Sequence, residues 1–434
     1  MNPFFNNPLF LDNHGPTPPN FQSDSSSSDE TDRYINLFTM AHYAIQQDVR
    51  DTASSSRTYT RRDDRGESHN RLFRDYFAEE PKFNETFFRN RFRMSRRLFV
   101  KIASDLENNF SFFKRKIDAR GRWGFSALQR CTSAVHQLGY GSNPDSLDDY
   151  LNMSERSSRE TLNAFCDGVI KLYRHEYLRR PTRTDTQRIL DHHASYHGFP
   201  GMLGSLDCTH WAWDNCPVAW RGQYTRGDHH GPTISLEAVA SQDCWIWHAY
   251  FGVVGSNNDI NVLNQSPLFN PFEDGTTPLV PFTVNGTEYR YPYYLVDGIY
   301  PRYAMFVKTI QHPTGEKRIR YAKAQEAARK DVERAFGIIK KKWKILREPA
   351  RQMEETPIRK IMYACCILHN MILKDEDHAI SPDYIPDPPV APQPSDERLF
   401  EIYDSSIYIL VNECFLLLAI DNDMISVAGG DKDC

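Results

Sequence analysis

The chain has nine cysteines, an odd number, and no two of them stand in a CxxC pair. That argues against a disulfide framework and for reduced thiols in an intracellular protein. It also lacks a long apolar run: the longest, residues 407–420, carries Asn412 and Glu413 at its middle, and a spanning helix needs about 20 apolar residues. No membrane span is expected, and the run reads either as a packed helix or strand or as an atypical C-terminal segment without function. No signal-peptide pattern opens the sequence. An excess of basic charge is missing as well. The net charge is -5 and the pI is near 6.3, which taken as an average argues against a nucleic-acid binder. The average hides a division, because both ends are acidic while the interior carries basic clusters. What is present, 434 residues with 40% hydrophobic and 13% aromatic content, suffices for two or three units with a sizeable core.

Residues 1–68 are rich in Asn, Pro, Ser and Asp and are expected to be a disordered tail, because such a composition buries too little apolar surface to offset ordering entropy. Residues 34–49 form a weakly helical patch within it, readable as a docking segment. Residues 69–180 read as a helical domain. Phe73, Tyr76, Phe77, Phe83, Phe87, Phe88 and Phe92 interleave with Arg89, Arg91, Arg93, Arg96 and Arg97, and Ser95 suits the N-cap of a helix burying Leu98, Phe99, Ile102 and Leu106. A helix over 126–138, a short piece at 146–151 and a helix from Ser154 burying Leu162, Phe165 and Val169 follow. That order suits a helix-turn-helix whose last helix lies in a DNA groove. Residues 89–130 hold twelve Lys or Arg against three Asp or Glu, so the five arginines from Arg89 to Arg97 are candidate DNA contacts. A helical bundle with a solvated basic face fits the same facts.

Residues 181–200 read as a connector, and 201–375 as an α/β domain. Within it are a strand at 202–206 ending in Asp207, a hairpin of 233–240 and 244–254, a helix over 256–269, a Pro-rich loop over 271–292 and a strand at 293–296 ending in Asp297. A long helix with Glu333 follows, and then a helix over 357–373 with Ile361, Cys365, Leu368 and Ile372 inward. An RNase H-like layer is the simplest fold that brings the three acids together. Residues 376–434 read as a linker, with six prolines between 382 and 394, and an acidic tail.

The three acids stand in settings that would otherwise reject them. Asp207 in GMLGSLDCTHWAW and Asp297 in YYLVDGIYP each follow an apolar strand, the place where open α/β sheets put their chemistry. Glu333 lies beside a helix face made by Val332, Phe336, Ile339 and Trp343. Gly337, one turn on, costs roughly 1 kcal/mol against Ala in a helix, which implies close approach by a backbone or a ligand. A like pair of carboxylates at about 4 Å repels by roughly 4 kcal/mol at an effective dielectric of 20, and a hard divalent cation such as Mg2+ relieves that repulsion. With two metals about 4 Å apart, one activates a nucleophilic hydroxyl and the other stabilises the leaving oxygen. Taken singly, each acid has a plainer reading: a turn or helix cap for the aspartates, a solvated ion pair with Arg334 or Lys330 for Glu333. By spacing alone Asp228, Asp259 and Asp274 rival Asp297 as second acid.

The motifs GSLDCTHWAWDNCPVAWRGQY, NDINVLNQSPLF, YYLVDGIYP, DVERAFGIIKKKWKILREP and ACCILHNMIL, in that order, resemble the PIF/Harbinger superfamily of plant DDE transposases. In that family the G-x-x-D-C-x-H, L-x-D-x-x-Y-P and V-E-x-x-F-G motifs carry the catalytic, metal-holding acids, which here are Asp207, Asp297 and Glu333. The resemblance implies an RNase H-like core that cuts transposon ends and joins them to target DNA with Mg2+ or Mn2+. It also implies action in the nucleus beside a separate Myb-like DNA-binding protein; a homodimer is a further expectation. Some relatives are host-adopted chromatin-associated proteins without nuclease activity, so a catalytically silent platform remains the alternative. The tail beyond Ser395 departs from the family.

Three further groups need placing. Cys208, His210, Cys216, His229 and His230 match no common zinc spacing. Trp211, Trp213 and Trp220 can stack bases or pack a strand and loop. Lys340, Lys341, Lys342 and Lys344 belong to residues 315–350, which hold twelve basic against five acidic side chains; they read as a phosphate-tracking surface and, as a KKK run, as a contribution to nuclear import.

Overall fold

The computed structural model describes residues 65–388 apart from 120, 122, 274–276 and 278. The expectations for the N-terminal tail before Arg65, the docking segment at 34–49, Asp274 and the apolar run at 407–420 lie outside the described residues.

The chain begins with helices α1 (Arg65–Tyr76), α2 (Glu85–Phe92), α3 (Arg96–Asn109), α4 (Ala127–Tyr140), α5 (Asp148–Leu151), α6 (Glu155–Tyr177) and α7 (Arg183–Tyr196). Their starts follow from local chemistry. Ser95 accepts from the Leu98 N–H, Ser154 from the Ser157 N–H, and Ser126 forms a capping box with Gln129, each satisfying N–H groups the first turn leaves open. Gly141 closes α4 at φ 61, a left-handed cap that glycine adopts without strain. Phe88, Phe92, Phe99, Leu106, Cys131, Leu138, Phe165 and Val169 are all buried.

The second half is built on a five-stranded mixed sheet. Its strands are β1 (Met202–Ala212), β2 (Thr233–Ala240), β3 (Ile246–Val254), β6 (Tyr293–Val296) and β7 (Phe306–Lys308), in the order β3-β2-β1-β6-β7. The first three are antiparallel and β6 and β7 run parallel to β1. Between β1 and β2 lies α8 (Val218–Tyr224), after β3 come α9 (Asp259–Gln265) and α10 (Asn270–Glu273), and β4 (Phe282–Val284) with β5 (Thr287–Tyr289) forms a separate hairpin. Helix α11 (Glu316–Lys342), a 3-10 turn (Lys344–Leu346) and α12 (Glu355–Asp375) complete the described chain. No helix of the described residues is long and apolar enough to cross a membrane.

Helices and sheet share a core. Phe165 and Val169 of α6, Ile361 and Leu368 of α12 and Ile246 of β3 belong to one buried cluster. Fully buried Asn370 of α12 binds it polarly: its amide donates to the carbonyls of Tyr177 (2.6 Å) and Ile246 (2.8 Å) and accepts from the Ile246 N–H (3.0 Å). Such a group is costly to bury without hydrogen bonds, and here both amide hydrogens and the oxygen have partners.

Several expectations change. The connector at 181–200 contains α7, opened by a capping box of Thr182 and Asp185 and anchored by buried Ile189, Leu190 and His193; Pro181 precedes the cap, where it breaks nothing. The Pro-rich loop at 271–292 holds the β4–β5 hairpin, whose Asn285 and Gly286 turn at φ 49 and 79, an Asn-Gly signal of the two-residue hairpin. The helix expected over 256–269 is confined to α9, and α1 begins at Arg65, inside the expected tail. Strand β1 does not stop at Leu206 but runs to Ala212, because β2 pairs with it as far as Thr233.

His193 fastens α7 to the sheet. The Gln242 N–H donates to its Nε2 (3.0 Å), leaving Nδ1–H to donate to the Met202 carbonyl (2.8 Å). Burial lowers the pKa of His193, His136 and His369 to about 4. These groups are neutral when folded and take up protons first when unfolded. Their contribution is therefore full above about pH 6.5 and is lost as the pH falls to about 4. The urea midpoint should drop across that window, and His193→Gln should flatten part of the drop; a midpoint independent of pH from 6.5 to 4 would contradict this.

Candidate active site

Strand register brings the two aspartates to one level. Ser205 of β1 pairs with Leu295 of β6, and Asp207 and Asp297 each lie two residues further along in the same direction. β6 ends at Val296, so past Ser205 β1 has lost its neighbour on that side and keeps only β2. Asp207 is thus a mid-strand residue at a gap in the sheet, and Asp297 opens the turn that makes the gap. The Asp207 side chain is 18% exposed.

The turn after β6 is held from several sides. The Gly298 N–H donates to Asp297 Oδ1 (2.6 Å) and the Tyr300 N–H to the Asp297 carbonyl (3.3 Å). Tyr300 is buried, its hydroxyl 3.6 Å from Cys208 Sγ on β1, and Lys308 of β7 donates to its carbonyl. Helix α11 is fastened across the same strands. Gln325 Nε2 donates to the carbonyls of Val296 (3.3 Å) and Val307 (3.1 Å), and Ser205 Oγ accepts from the Val332 N–H (2.9 Å). Val332, Phe336, Ile339 and Trp343 are buried as a face, and buried Asp331 is held by His197 Nε2 at 2.8 Å and Arg334 at 3.2 Å.

On this helix Arg329 meets both remaining acids. Its Nη1 is 3.0 Å from Glu333 Oε1 and 3.6 Å from Asp207 Oδ2. The partner of Glu333 is therefore Arg329, four residues back on the same helix face, while Arg334 pairs with Asp331. Asp207 is pushed up to about 6, first by burial, then by Asp259 and Glu333; the Cys208 N–H (2.8 Å) and Arg329 oppose this. Asp259 is raised as well, by burial and the nearby Asp297, against the pull of Arg226 and a hydrogen bond with Cys208. The rival acid Asp259 thus stands within the same charge cluster, whereas Asp228 pairs with Arg226 at 2.8 Å.

Among the described residues no three His, Cys, Asp or Glu side chains converge closely enough to hold one metal ion. The zinc set is included in that statement: His210 lies against Thr233 Oγ1 (3.1 Å) and the His229 ring (4.6 Å between centroids). The donors around Asp207 are of the oxygen type that a hard divalent cation takes, though in this arrangement they do not form a three-ligand group. All the acids offer carboxylate oxygens, the desolvated Asp207 has more anionic than cationic neighbours, and a guanidinium already stands between Asp207 and Glu333 as a cation would.

The basic residues lie less freely than their number suggests. Lys340 Nζ donates inward to Thr209 Oγ1 (2.8 Å), and burial lowers the pKa of Lys340 and Lys342. Lys341 is exposed, and Lys344 is 3.9 Å from Glu348. Arg89 and Arg96 pair with Glu85, Arg97 with Asp375, and Arg91 and Arg93 lie over the rings of Phe87 and Tyr140. Trp211 and Trp213 are buried and bonded to backbone carbonyls, while Trp220 is 42% exposed. Gly337 is exposed and a Cβ there would meet nothing within 4 Å, so among the described residues no backbone outside its own helix approaches it.

Removing the shared guanidinium tests this electrostatic account. Arg329→Met should destabilise the metal-free protein by about 1–2 kcal/mol at pH 7.5, short of a fully buried pair because Glu333 is half exposed. Adding Asp207→Asn should recover most of that loss in thermal melts. A single variant as stable as the parent would contradict the bridging role.

The comparisons with known proteins agree with the motifs. Residues 175–380 match the family model described as plant transposon protein, and residues 69–107 match a domain of unknown function. The chain is 23% identical over 297 residues to Protein ALP1-like of Arabidopsis thaliana, covering 68% of this chain and 72% of that one. No solved structure matches. Residues 175–380, with Asp207, Asp297 and Glu333 in the motifs that carry the Harbinger resemblance, are thus the part of the chain that is similar to the plant transposon protein family.

Proposed function

We propose that this chain is a DDE-type, metal-dependent nuclease that cuts and joins transposon-end DNA on an RNase H-like sheet. The observation that supports the reading most is the register: Ser205 beside Leu295 sets Asp207 of β1 and Asp297, just past the end of β6, each two residues beyond one paired position, with Glu333 held toward Asp207 through Arg329. The order β3-β2-β1-β6-β7, antiparallel then parallel, is the arrangement such a core requires.

In this reading Asp207, Asp297 and Glu333 hold Mg2+ or Mn2+. When bound, the metal supplies an activated hydroxyl and charge stabilisation at the phosphate. The chain's own contribution is placement. Tyr300 and the Gly298 N–H fix the turn carrying Asp297, Gln325 and Ser205 fix α11, and the Cys208 N–H orients Asp207. Preset positions of this kind remove the orientational cost of assembling acids around a phosphate. Nuclear localisation, a Myb-like DNA-binding partner and a homodimer belong to the same proposal, since end recognition and pairing of two DNA ends need more than one chemical centre.

One observation favours a second reading, a host-adopted and catalytically silent nuclear platform: Arg329 already neutralises part of the charge that a cation would serve. Cleavage of a terminal-repeat duplex by the purified chain with a Myb-like partner and Mg2+ separates the two. The parent should nick the repeat end, and Asp297→Asn and Glu333→Gln should lose more than about 100-fold, the upper end of the loss for groups one shell further from a metal. Equal cleavage by parent and variants would remove the site; a folded parent that never cleaves would leave the platform.

A further inference from the structure

The basic groups first expected to meet DNA are largely engaged: Lys340 turns inward, Arg89, Arg96 and Arg97 are ion-paired, and Arg91 and Arg93 lie over rings. An exposed basic surface stands elsewhere, between α3 and α4. Residues 114–123, KRKIDARGRW, carry five Lys or Arg against one Asp in a chain of net charge -5; two of the five, Arg120 and Arg122, lie outside the described residues.

The described part is a two-legged projection rooted in the core. Phe113 and Phe125 at its base are buried. Above them the Gly124 N–H donates to the Lys116 carbonyl (2.7 Å), and Arg115 Nε donates to the Gly124 carbonyl (3.3 Å). Ile117 and Trp123 form an antiparallel bridge across the legs. The chain reverses at Gly121, φ 75, whose N–H reaches the Asp118 carbonyl (2.9 Å). The side chains at the bridge point outward: Ile117 is 55% and Trp123 50% exposed. The Arg115 guanidinium lies 5.0 Å from the Trp123 ring centre. Lys114 and Lys116 are exposed and have no ion-pair partner among the described residues.

A solvated turn needs none of this. Single exposed apolar residues are ordinary, but a branched aliphatic and an indole side by side, on a segment that also exposes Lys114 and Lys116, form a surface with both an electrostatic and an apolar component. A polyanion that also offers flat apolar faces complements it, and DNA presents both: phosphates for the lysines, sugar and base surface for the indole.

We propose that the 114–123 hairpin is a DNA-contacting finger, in which Lys114 and Lys116 neutralise backbone phosphates while Trp123 and Ile117 lie against the sugar and base surface. The inference rests on the DNA reading above and adds a contact surface to it. It acts through binding and leaves the acids of the cleavage site alone.

The test uses the full chain and a terminal-repeat duplex, with affinity measured by fluorescence anisotropy across a salt series. Lys114→Gln/Lys116→Gln should weaken binding roughly tenfold at moderate salt and reduce the slope of log K against log[salt] by about 2, close to 0.9 for each lost phosphate contact. Ile117→Ser/Trp123→Ser should weaken binding with the slope unchanged. Thermal melts should match the parent for both, since the replaced groups are exposed. A parent that binds DNA while both variants bind equally well with the same slope overturns the finger alone. A folded parent that binds no DNA overturns the DNA reading and the finger with it.

Discussion

The structure depends on how one largely desolvated carboxylate is tolerated. Asp207 sits in the middle of β1, largely out of water, with Asp259 and Glu333 as anionic neighbours. Burial alone disfavours an ionised acid, and two further acids add to the cost. The chain answers with one backbone N–H from Cys208 and one guanidinium from Arg329. A carboxylate kept in such surroundings on a rigid strand has a poor structural rationale and a good chemical one, since perturbed acids of this kind collect at functional sites.

The rest of the α/β half serves that placement. β6 stops four residues after it starts, which opens the sheet beside Asp207 and lets Asp297 lead the turn. Helix α11 is held by buried polar contacts as well as by its apolar face: Gln325 binds the carbonyls of Val296 at the end of β6 and of Val307 within β7, and Ser205 binds the helix backbone beside Glu333. The N-terminal helices add mass behind this frame, with α6 pressed between α4 and α12 and Asn370 tying its end to β3. A frame of this stiffness suits chemistry that depends on position.

Much of this was legible in the sequence because local signals agreed with the tertiary outcome. Ser95, Ser126 and Ser154 preceded apolar periodicity and became N-caps, and the hairpin around Ser241 to Asp243 and the face of Val332, Phe336, Ile339 and Trp343 followed from spacing. Elements set by pairing were harder to read. β7 is three residues long and exists because β6 pairs with it, and β1 continues past Asp207 because β2 extends that far. Two misses had signals that the prolines obscured: the Thr182–Asp185 capping box behind Pro181, and the Asn285–Gly286 turn inside a Pro-rich stretch. Of the candidate site, the motifs singled out Asp207, Asp297 and Glu333. Arg329 was readable only from its i,i+4 spacing to Glu333, and the approach of Asp259 came from the fold.

The central proposal is that the carboxylates at the open edge of β1 serve a divalent cation. A crystal of the metal-free protein soaked in Mn2+ tests it through anomalous scattering. The account predicts a peak touching carboxylate oxygens of both Asp207 and Asp297, with Arg329 moved away from Asp207. A peak confined to other residues, or none at millimolar Mn2+ with the Arg329 bridge intact, would contradict it.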